Sequence, residues 1–188
     1  MATVSLAELV ERSTSHSGVT RVMVSGMDLI AIEGIRTLKY RYLRALDLKQ
    51  WDDFAATFTA DATGSYGSPS GGGPLEFTGR DEIVGYMRKA LSGNIITVHV
   101  CTHPDIEVDG DTATGSWCLE DTVIVPEYGV QIRGAAYYQD RYRRENDRWL
   151  IEHTGYQRIY ESTTSLDALP GFTLTANRWA PAAQQPNG

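Results

Sequence analysis

Hydrophobic residues change their spacing near Gly93, about halfway along the chain. Before this point, apolar residues recur every three or four positions, which is the spacing of amphipathic helices. After it, long segments rich in β-branched and aromatic residues alternate with short turn sequences. Helices followed by a run of strands indicate an α+β fold, with the helices packed on one face of an antiparallel sheet.

Three helices are predicted in the first half. The first begins near Asp28, and its apolar positions are Ala31, Ile35, Leu38, Tyr42 and Ala45. The second runs from about residue 49 to 58, and the third opens at GRDE (79–82), which places acidic side chains in the first turn. The segment SPSGGGP (68–74) between them predicts a loop.

Long strands are predicted in the second half, at 94–101, 106–108, 112–125, 130–144 and 148–160. The turn sequences between the later ones are DGD (109–111), PEYG (126–129) and END (145–147). Long strands of this kind form a strongly curved sheet. Three N-terminal helices packed on that sheet would give a cone-shaped α+β barrel with an interior pocket.

The length of 188 residues suits one domain, predicted at 28–165, with an N-terminal extension at 1–27 and a C-terminal tail at 166–188. The net charge of −7 gives no electrostatic reason to bind nucleic acid or an anionic membrane. No apolar run approaches the roughly 20 residues of a membrane span, and no signal peptide is recognised, so a cytoplasmic location is expected. Cys101 and Cys118 are predicted to lie on opposite faces of the sheet, which disfavours a disulfide.

A family resemblance is carried by seven segments. They are LKYRYLRALDLKQWDD (38–53), FTADAT (58–63), GRDEI (79–83), TVH (97–99), WCLEDT (117–122), GAAYY (134–138) and YRRENDRW (142–149). Together they resemble SnoaL-like proteins of the nuclear transport factor 2 superfamily. The most similar subset includes bile acid 7α-dehydratase, scytalone dehydratase and hexachlorocyclohexane dehydrochlorinase.

The resemblance implies a catalytic pair of Asp47 and His99, because those enzymes place an aspartate after the first helix and a histidine on the first long strand after the third. Tyr42 matches the tyrosine of the bile-acid enzyme. The pocket arginine of the dehydrochlorinase falls at Thr154, and Arg158, further along the same strand face, is the candidate to replace it.

A histidine held by a carboxylate is a general base with a fixed tautomer. Such a base, with Tyr42 near a departing hydroxyl, suits β-elimination; the same residues also suit isomerisation through a dienolate. Two structural alternatives remain open at this stage. Asp47 could cap the second helix, and His99 could be an ordinary core histidine.

Strand alternation and the resemblance together predict the pocket lining. The predicted substrate-binding residues are Trp51, Tyr66, Met87, Trp117, Leu119, Asp121, Tyr137, Thr154, Tyr156 and Arg158. This largely aromatic lining favours a rigid multi-ring or terpenoid-like ligand.

The leading functional hypothesis is therefore a cofactor-independent lyase of the dehydratase type, acting on a hydrophobic hydroxylated ring compound. The alternatives are an isomerase or cyclase for a steroid-like or polyketide substrate, and a small-molecule binding protein without turnover. No metal or other cofactor is expected, since no convergent ligand set is evident. The resemblance also predicts a homodimer or homotrimer.

Overall fold

The computed structural model describes residues 26–67 and 73–181, so most of the predicted N-terminal extension and the end of the tail lie outside the described residues. The helices are α1 (Gly26–Asp47), α2 (Trp51–Ala55) and α3 (Arg80–Ala90). The strands are β1 (Phe58–Tyr66), β2 (Leu75–Thr78), β3 (Ile96–Asp109), β4 (Thr112–Val125), β5 (Val130–Glu145) and β6 (Arg148–Ser165). Single 3₁₀ turns occupy Pro126–Tyr128 and Leu166–Ala168. The predicted α+β class, with three helices on a curved sheet, is confirmed.

The six strands form one unclosed sheet in the order β2-β1-β6-β5-β4-β3. Strands β3 to β6 form the predicted antiparallel meander. The sheet as a whole is mixed, however, because β1 runs parallel to β6, with Phe58 opposite Ile151. A parallel pairing between distant strands leaves no hairpin turn in the sequence, which is why the meander alone could be predicted.

Three elements differ from the prediction, and one of them is β6, which continues past the predicted end at 160 to Ser165. Helix α2 ends at Ala55, and Phe58 begins β1 instead of closing the helix. The two segments predicted as separate strands around His103 are one strand, β3, with a register shift between Thr102 and Asp105. His103 has a φ of +32° at this bulge, so the chain kinks without leaving the sheet.

The core lies between α1 and the concave face of the sheet. Helix α1 buries Ile35, Leu38, Tyr42 and Leu46, which are spaced three or four residues apart. The sheet opposes them with the fully buried aromatic residues Trp117, Tyr138 and Tyr142, among others. Burial of each large apolar side chain stabilises the fold by roughly 1.5–3 kcal/mol, so this contact fixes α1 on the sheet.

The predicted tail returns to the body over its described part. The Asn177 side chain donates a hydrogen bond to the Asn94 carbonyl at 2.9 Å. The Trp179 ring lies 4.6 Å from the Lys49 ammonium, and that ammonium donates to the Gly93 carbonyl at 2.9 Å. These contacts attach the tail to the segment before β3 and to the turn after α1.

Candidate active site

A cavity of about 190 Å³ lies between α1, α3 and the concave face of the sheet. Eight of the predicted site residues line it: Tyr42, Tyr66, Met87, His99, Leu119, Asp121, Tyr156 and Arg158. Leu46, Leu75, Tyr86, Ala90, Leu91, Thr97, Val123 and Tyr138 complete most of the wall. The lining is largely aromatic and aliphatic, with few ionisable groups.

Asp47 and His99 meet at one end of this cavity. Asp47 is the last residue of α1, and His99 lies near the start of β3. The His99 Nδ1 atom lies 2.6 Å from Asp47 Oδ1, and the side chains are 12% and 20% exposed, respectively. With Nδ1–H donating to the carboxylate, Nε2 is the unprotonated nitrogen, and it makes no hydrogen bond within the described part of the chain.

Two further donors from β3 hold the Asp47 carboxylate. The Thr97 hydroxyl donates to Oδ1 at 2.8 Å, and the His99 backbone N–H donates to Oδ2 at 2.9 Å. Asp47 therefore does not cap α2, whose N-cap residue is Gln50. A carboxylate held by three donors keeps its orientation and can stabilise an imidazolium on His99.

Two tyrosines of the cavity wall are hydrogen-bonded to each other through their hydroxyls. The Tyr42 and Tyr66 oxygens are 3.2 Å apart, and both side chains are almost fully buried. Burial raises the pKa of each hydroxyl well above its usual value, because the ionised form would lose its hydration. Both groups therefore keep their protons at neutral pH; one hydroxyl donates to the other, and the second proton is available to a ligand.

Asp121 and Arg158 form an ion pair on the same wall. Arg158 Nη1 donates to Asp121 Oδ1, and Nη2 donates to Oδ2 at 3.0 Å. Although burial acts to lower the pKa of Arg158, its hydrogen bonds to Asp121 help to raise it above its usual value. The resemblance places the pocket arginine of the dehydrochlorinase at Thr154, and Arg158 was the predicted replacement. Arg158 does line the cavity.

Apart from Asp47, which is held beside the cavity by His99, four predicted site residues do not line it: Trp51, Trp117, Thr154 and Tyr137. Trp51 packs on Phe54 beside the core, with a ring separation of 6.3 Å. Trp117 is fully buried and donates its Nε1–H to the Tyr142 hydroxyl at 2.8 Å. Thr154 is fully buried, and its hydroxyl has no hydrogen-bond partner among the described residues.

The inward placement predicted for Tyr137 is wrong. Tyr137 lies opposite Cys118 and is 41% exposed on the outer face of the sheet. Tyr138 lies opposite Trp117 and points into the cavity instead. Side chains of directly paired residues share a face, so the side of β5 depends on its register with β4. The predicted strand ends already imply this register, since Val125 and Val130 flank the turn and pair with each other. The inward placement of Tyr137 came from the family resemblance instead.

A buried charge pair beneath the cavity was not predicted. Lys39 on α1 donates to Asp140 Oδ2 on β5 at 2.7 Å, and both side chains are fully buried. The Tyr142 hydroxyl donates to the same oxygen at 2.7 Å, and the Lys39 ammonium lies 3.4 Å from the centre of the Tyr138 ring. Lys39 stands on the apolar face of α1, between Leu38 and Tyr42, and this position of a lysine is the sequence signal that could have revealed the pair.

A larger groove of about 880 Å³ lies on the other side of α1. Its wall includes Arg41, Arg44, Arg148 and Trp149, and none of the predicted site residues. The described residues contain no group of three or more His, Cys, Asp or Glu side chains able to hold a metal ion. Within the same residues, no helix is long and apolar enough to cross a membrane.

The helices of this chain pack on a curved sheet and enclose a cavity, which is the architecture of cone-shaped α+β proteins. The Asp47–His99 pair lies at one end of that cavity. The sequence profile of the SnoaL-like domain matches residues 27–155, and this chain belongs to that family. The resemblance to the nuclear transport factor 2 superfamily is thereby confirmed.

Solved structures share the fold at low sequence identity. Hexachlorocyclohexane dehydrochlorinase LinA-type3 from Novosphingobium barchaimii has a TM-score of 0.66 and 20% identity, covering 81% of this chain and 99% of that one. A scytalone dehydratase-like protein from Novosphingobium aromaticivorans has a TM-score of 0.64 and 18% identity, covering 85% and 97%. A protein from Kribbella flavida has a TM-score of 0.65 and 19% identity, covering 71% and 94%.

Proposed function

We propose that this chain is a cofactor-independent lyase that eliminates water from a hydrophobic, hydroxylated ring compound. The observation that carries the proposal is the Asp47–His99 pair, in which Nδ1 is bound to the carboxylate at 2.6 Å and the other ring nitrogen is free beside an apolar cavity. A base with a fixed tautomer beside a largely apolar wall is suited to proton abstraction from carbon. The dehydratase and dehydrochlorinase among the structural relatives are consistent with this chemistry.

The elimination can be assigned to the residues as follows. His99 Nε2 takes the proton from the carbon next to the one that bears the hydroxyl. The electrons of that C–H bond form the new C=C bond, and the C–O bond breaks. The leaving hydroxyl receives a proton from Tyr42 and departs as water, and the imidazolium then returns a proton to Tyr42 through solvent. Asp47 stabilises the imidazolium while it exists.

The buried tyrosines limit how this reaction responds to alkaline pH. Because burial raises the pKa of Tyr42 and Tyr66 well above 10, both hydroxyls stay protonated as the pH rises to that value. Any loss of activity between neutral pH and pH 10 would therefore arise from another group.

An isomerase or cyclase is the second candidate, and the paired Tyr42 and Tyr66 hydroxyls favour it. These hydroxyls are hydrogen-bonded to each other at 3.2 Å, and a dienolate oxygen that displaces this bond would accept a hydrogen bond from both. In that case the same base would remove a proton from one carbon and return it to another.

The size of the cavity indicates the size of the substrate. A dry cavity of about 150 Å³ in another protein holds benzene, and one of about 190 Å³ here suits one ring or a compact two-ring compound. This size favours a smaller substrate than the multi-ring ligand that the aromatic lining suggested.

The test is to incubate the protein in D₂O with single-ring and fused two-ring alcohols and ketones, followed by NMR and mass spectrometry. Elimination predicts loss of water and a new alkene. Isomerisation or cyclisation predicts a product of unchanged composition, with deuterium exchange at carbon as the sign of a working base. Binding without exchange or product, across compounds that do bind, would contradict both enzymatic proposals and support the binding-protein alternative.

We also propose that the outer face of the meander joins copies of this chain into a homodimer or homotrimer. Val98 and Val100 on β3 are each 51% exposed, and Tyr137 and Tyr160 on the same face are also exposed. Glu120, Ala135 and Tyr160 continue across the sheet from Val100 in register. Exposed valine and tyrosine side chains of this kind, on a face that no helix of the described residues covers, are typical of subunit contacts.

Light scattering at micromolar concentration should give the mass of two or three chains for the wild type. Val100→Lys should shift it to one chain, whereas Leu29→Lys, an exposed apolar position on α1, should not. A wild type that stays monomeric at these concentrations would contradict the proposal.

A further inference from the structure

The Asp121–Arg158 pair is more enclosed than an ordinary surface salt bridge. Its side chains are 3% and 7% exposed, and both terminal nitrogens of the guanidinium are bound to the carboxylate. Arg158 Nε also lies 3.3 Å from Glu161 Oε2. The single positive charge on this wall therefore faces two carboxylates of the same chain.

This pair lies immediately beside the candidate base. In the β3–β4 ladder, His99 is directly opposite Asp121, and both line the cavity. Side chains directly opposite each other in a ladder have Cβ atoms roughly 4.5–5.5 Å apart. A ligand whose carbon is within reach of His99 would consequently have its polar group near the ion pair.

We propose that the Asp121–Arg158 pair determines specificity by making the cavity take uncharged ring alcohols and ketones and reject ring carboxylates. The inference deepens the proposed function, since it assigns the same cavity to the substrate. Arg158 would otherwise be a strong carboxylate site, because a guanidinium binds carboxylates through two parallel hydrogen bonds. Here Asp121 already occupies that position.

The other carboxylates near the cavity also disfavour a negatively charged ligand. An anionic ligand would approach Asp121 and Asp47, with Glu161 behind Arg158. In a poorly hydrated cavity, repulsion between like charges is screened much less than in water. A neutral hydroxyl or carbonyl avoids this repulsion and can still exchange hydrogen bonds with the edges of the ion pair.

The test compares two probes of one-ring size, benzyl alcohol and benzoate, at neutral pH. Their affinities for the wild type, Asp121→Asn and Asp109→Asn are measured by NMR titration of the backbone amides along β3 and β4. Asp121→Asn removes the charge that occupies Arg158 and keeps the side chain close to its original size. Asp109→Asn makes the same change at an exposed position at the far end of β3.

The wild type should bind benzyl alcohol more tightly than benzoate. In Asp121→Asn, the affinity for benzoate should rise by about tenfold or more, the value of one charge-assisted hydrogen bond, and the preference should reverse. Asp109→Asn should resemble the wild type. Tighter binding of benzoate by the wild type, or an unchanged ratio in folded Asp121→Asn, would overturn the proposal.

A second variant covers the case in which Asp121→Asn does not fold. Glu161→Gln removes the outer carboxylate, which is 30% exposed, and should move the ratio in the same direction by a smaller factor. An unchanged ratio in this variant would then count against the proposal. Because the readout is binding alone, this selectivity would leave the inference standing even if the D₂O experiment with ring alcohols and ketones found no elimination and so refuted the proposed lyase. Elimination of water from a ring carboxylate would support the proposed lyase and refute this inference.

Discussion

Replacing His99 with alanine is expected to lower the rate of the chemical step by about 10²–10⁴-fold, the usual contribution of a general base. Among the described residues of the cavity wall, the other acid–base groups are tyrosines and Asp121, whose carboxylate is bound to Arg158, so none of them matches His99 as a base. The measurement is a single-turnover rate with a substrate found in the D₂O experiment, and far-UV circular dichroism checks that the variant folds.

His103→Asn is the matched control, since His103 is exposed on the same strand and asparagine tolerates its positive φ. It should keep the wild-type rate. Asp47→Asn should be severely slowed but less so than His99→Ala, because the amide still orients the ring but can favour the wrong tautomer. Wild-type turnover by His99→Ala would show that the Asp47–His99 pair is structural.

Replacing Lys39 with methionine should lower the free energy of unfolding by about 3–5 kcal/mol, the cost of removing one partner from a buried ion pair. The substitution leaves the Asp140 carboxylate buried among Tyr42, Tyr138 and Tyr142, with the Tyr142 hydroxyl as its one remaining donor. Urea unfolding followed by tryptophan fluorescence gives the free energy, because Trp117 is bonded to this network through Tyr142.

The double variant Lys39→Met/Asp140→Leu should regain most of the lost stability, because neither charge then remains buried. Lys89→Met, at an exposed position on α3, should change the free energy by less than about 0.5 kcal/mol. If Lys39→Met costs no more than Lys89→Met, the Lys39–Asp140 pair contributes nothing to stability.

Local patterns in the sequence were sufficient for most of the fold. Helical spacing predicted α1 and α3, and the turn sequences at 109–111, 126–129 and 145–147 predicted the turns of the meander nearly to the residue, although β6 runs on past its predicted end at 160 to Ser165. The parallel pairing of β1 with β6 could not be predicted in this way, because it joins segments about 90 residues apart and no turn sequence marks it.

Only part of the candidate site was predicted correctly, because several of its residues depend on contacts between distant parts of the chain. The approach of Asp47 to His99 was expected from their positions in a family of known fold, and the structure places them in contact. The inward residues of the later strands were also assigned from the resemblance, and there a shift of one position in the alignment reverses the face. Leu119 is inward as expected, but β5 turns Tyr138 and not Tyr137 to the cavity. The Lys39–Asp140 pair was not predicted because its prediction requires knowing which strand residue lies against α1. That is a property of the tertiary structure.

The unclosed sheet leaves two edge strands, and each is protected from pairing with another molecule. Strand β2 is only four residues long, which offers few free backbone groups. Strand β3 is long, but its bulge interrupts the row of groups, and Pro104 has no N–H to donate. Beyond the bulge the edge carries Asp105, Glu107 and Asp109, all exposed, so that two such edges would repel each other. The kink that ends the straight part of β3 after His99 thus also acts against edge-to-edge aggregation.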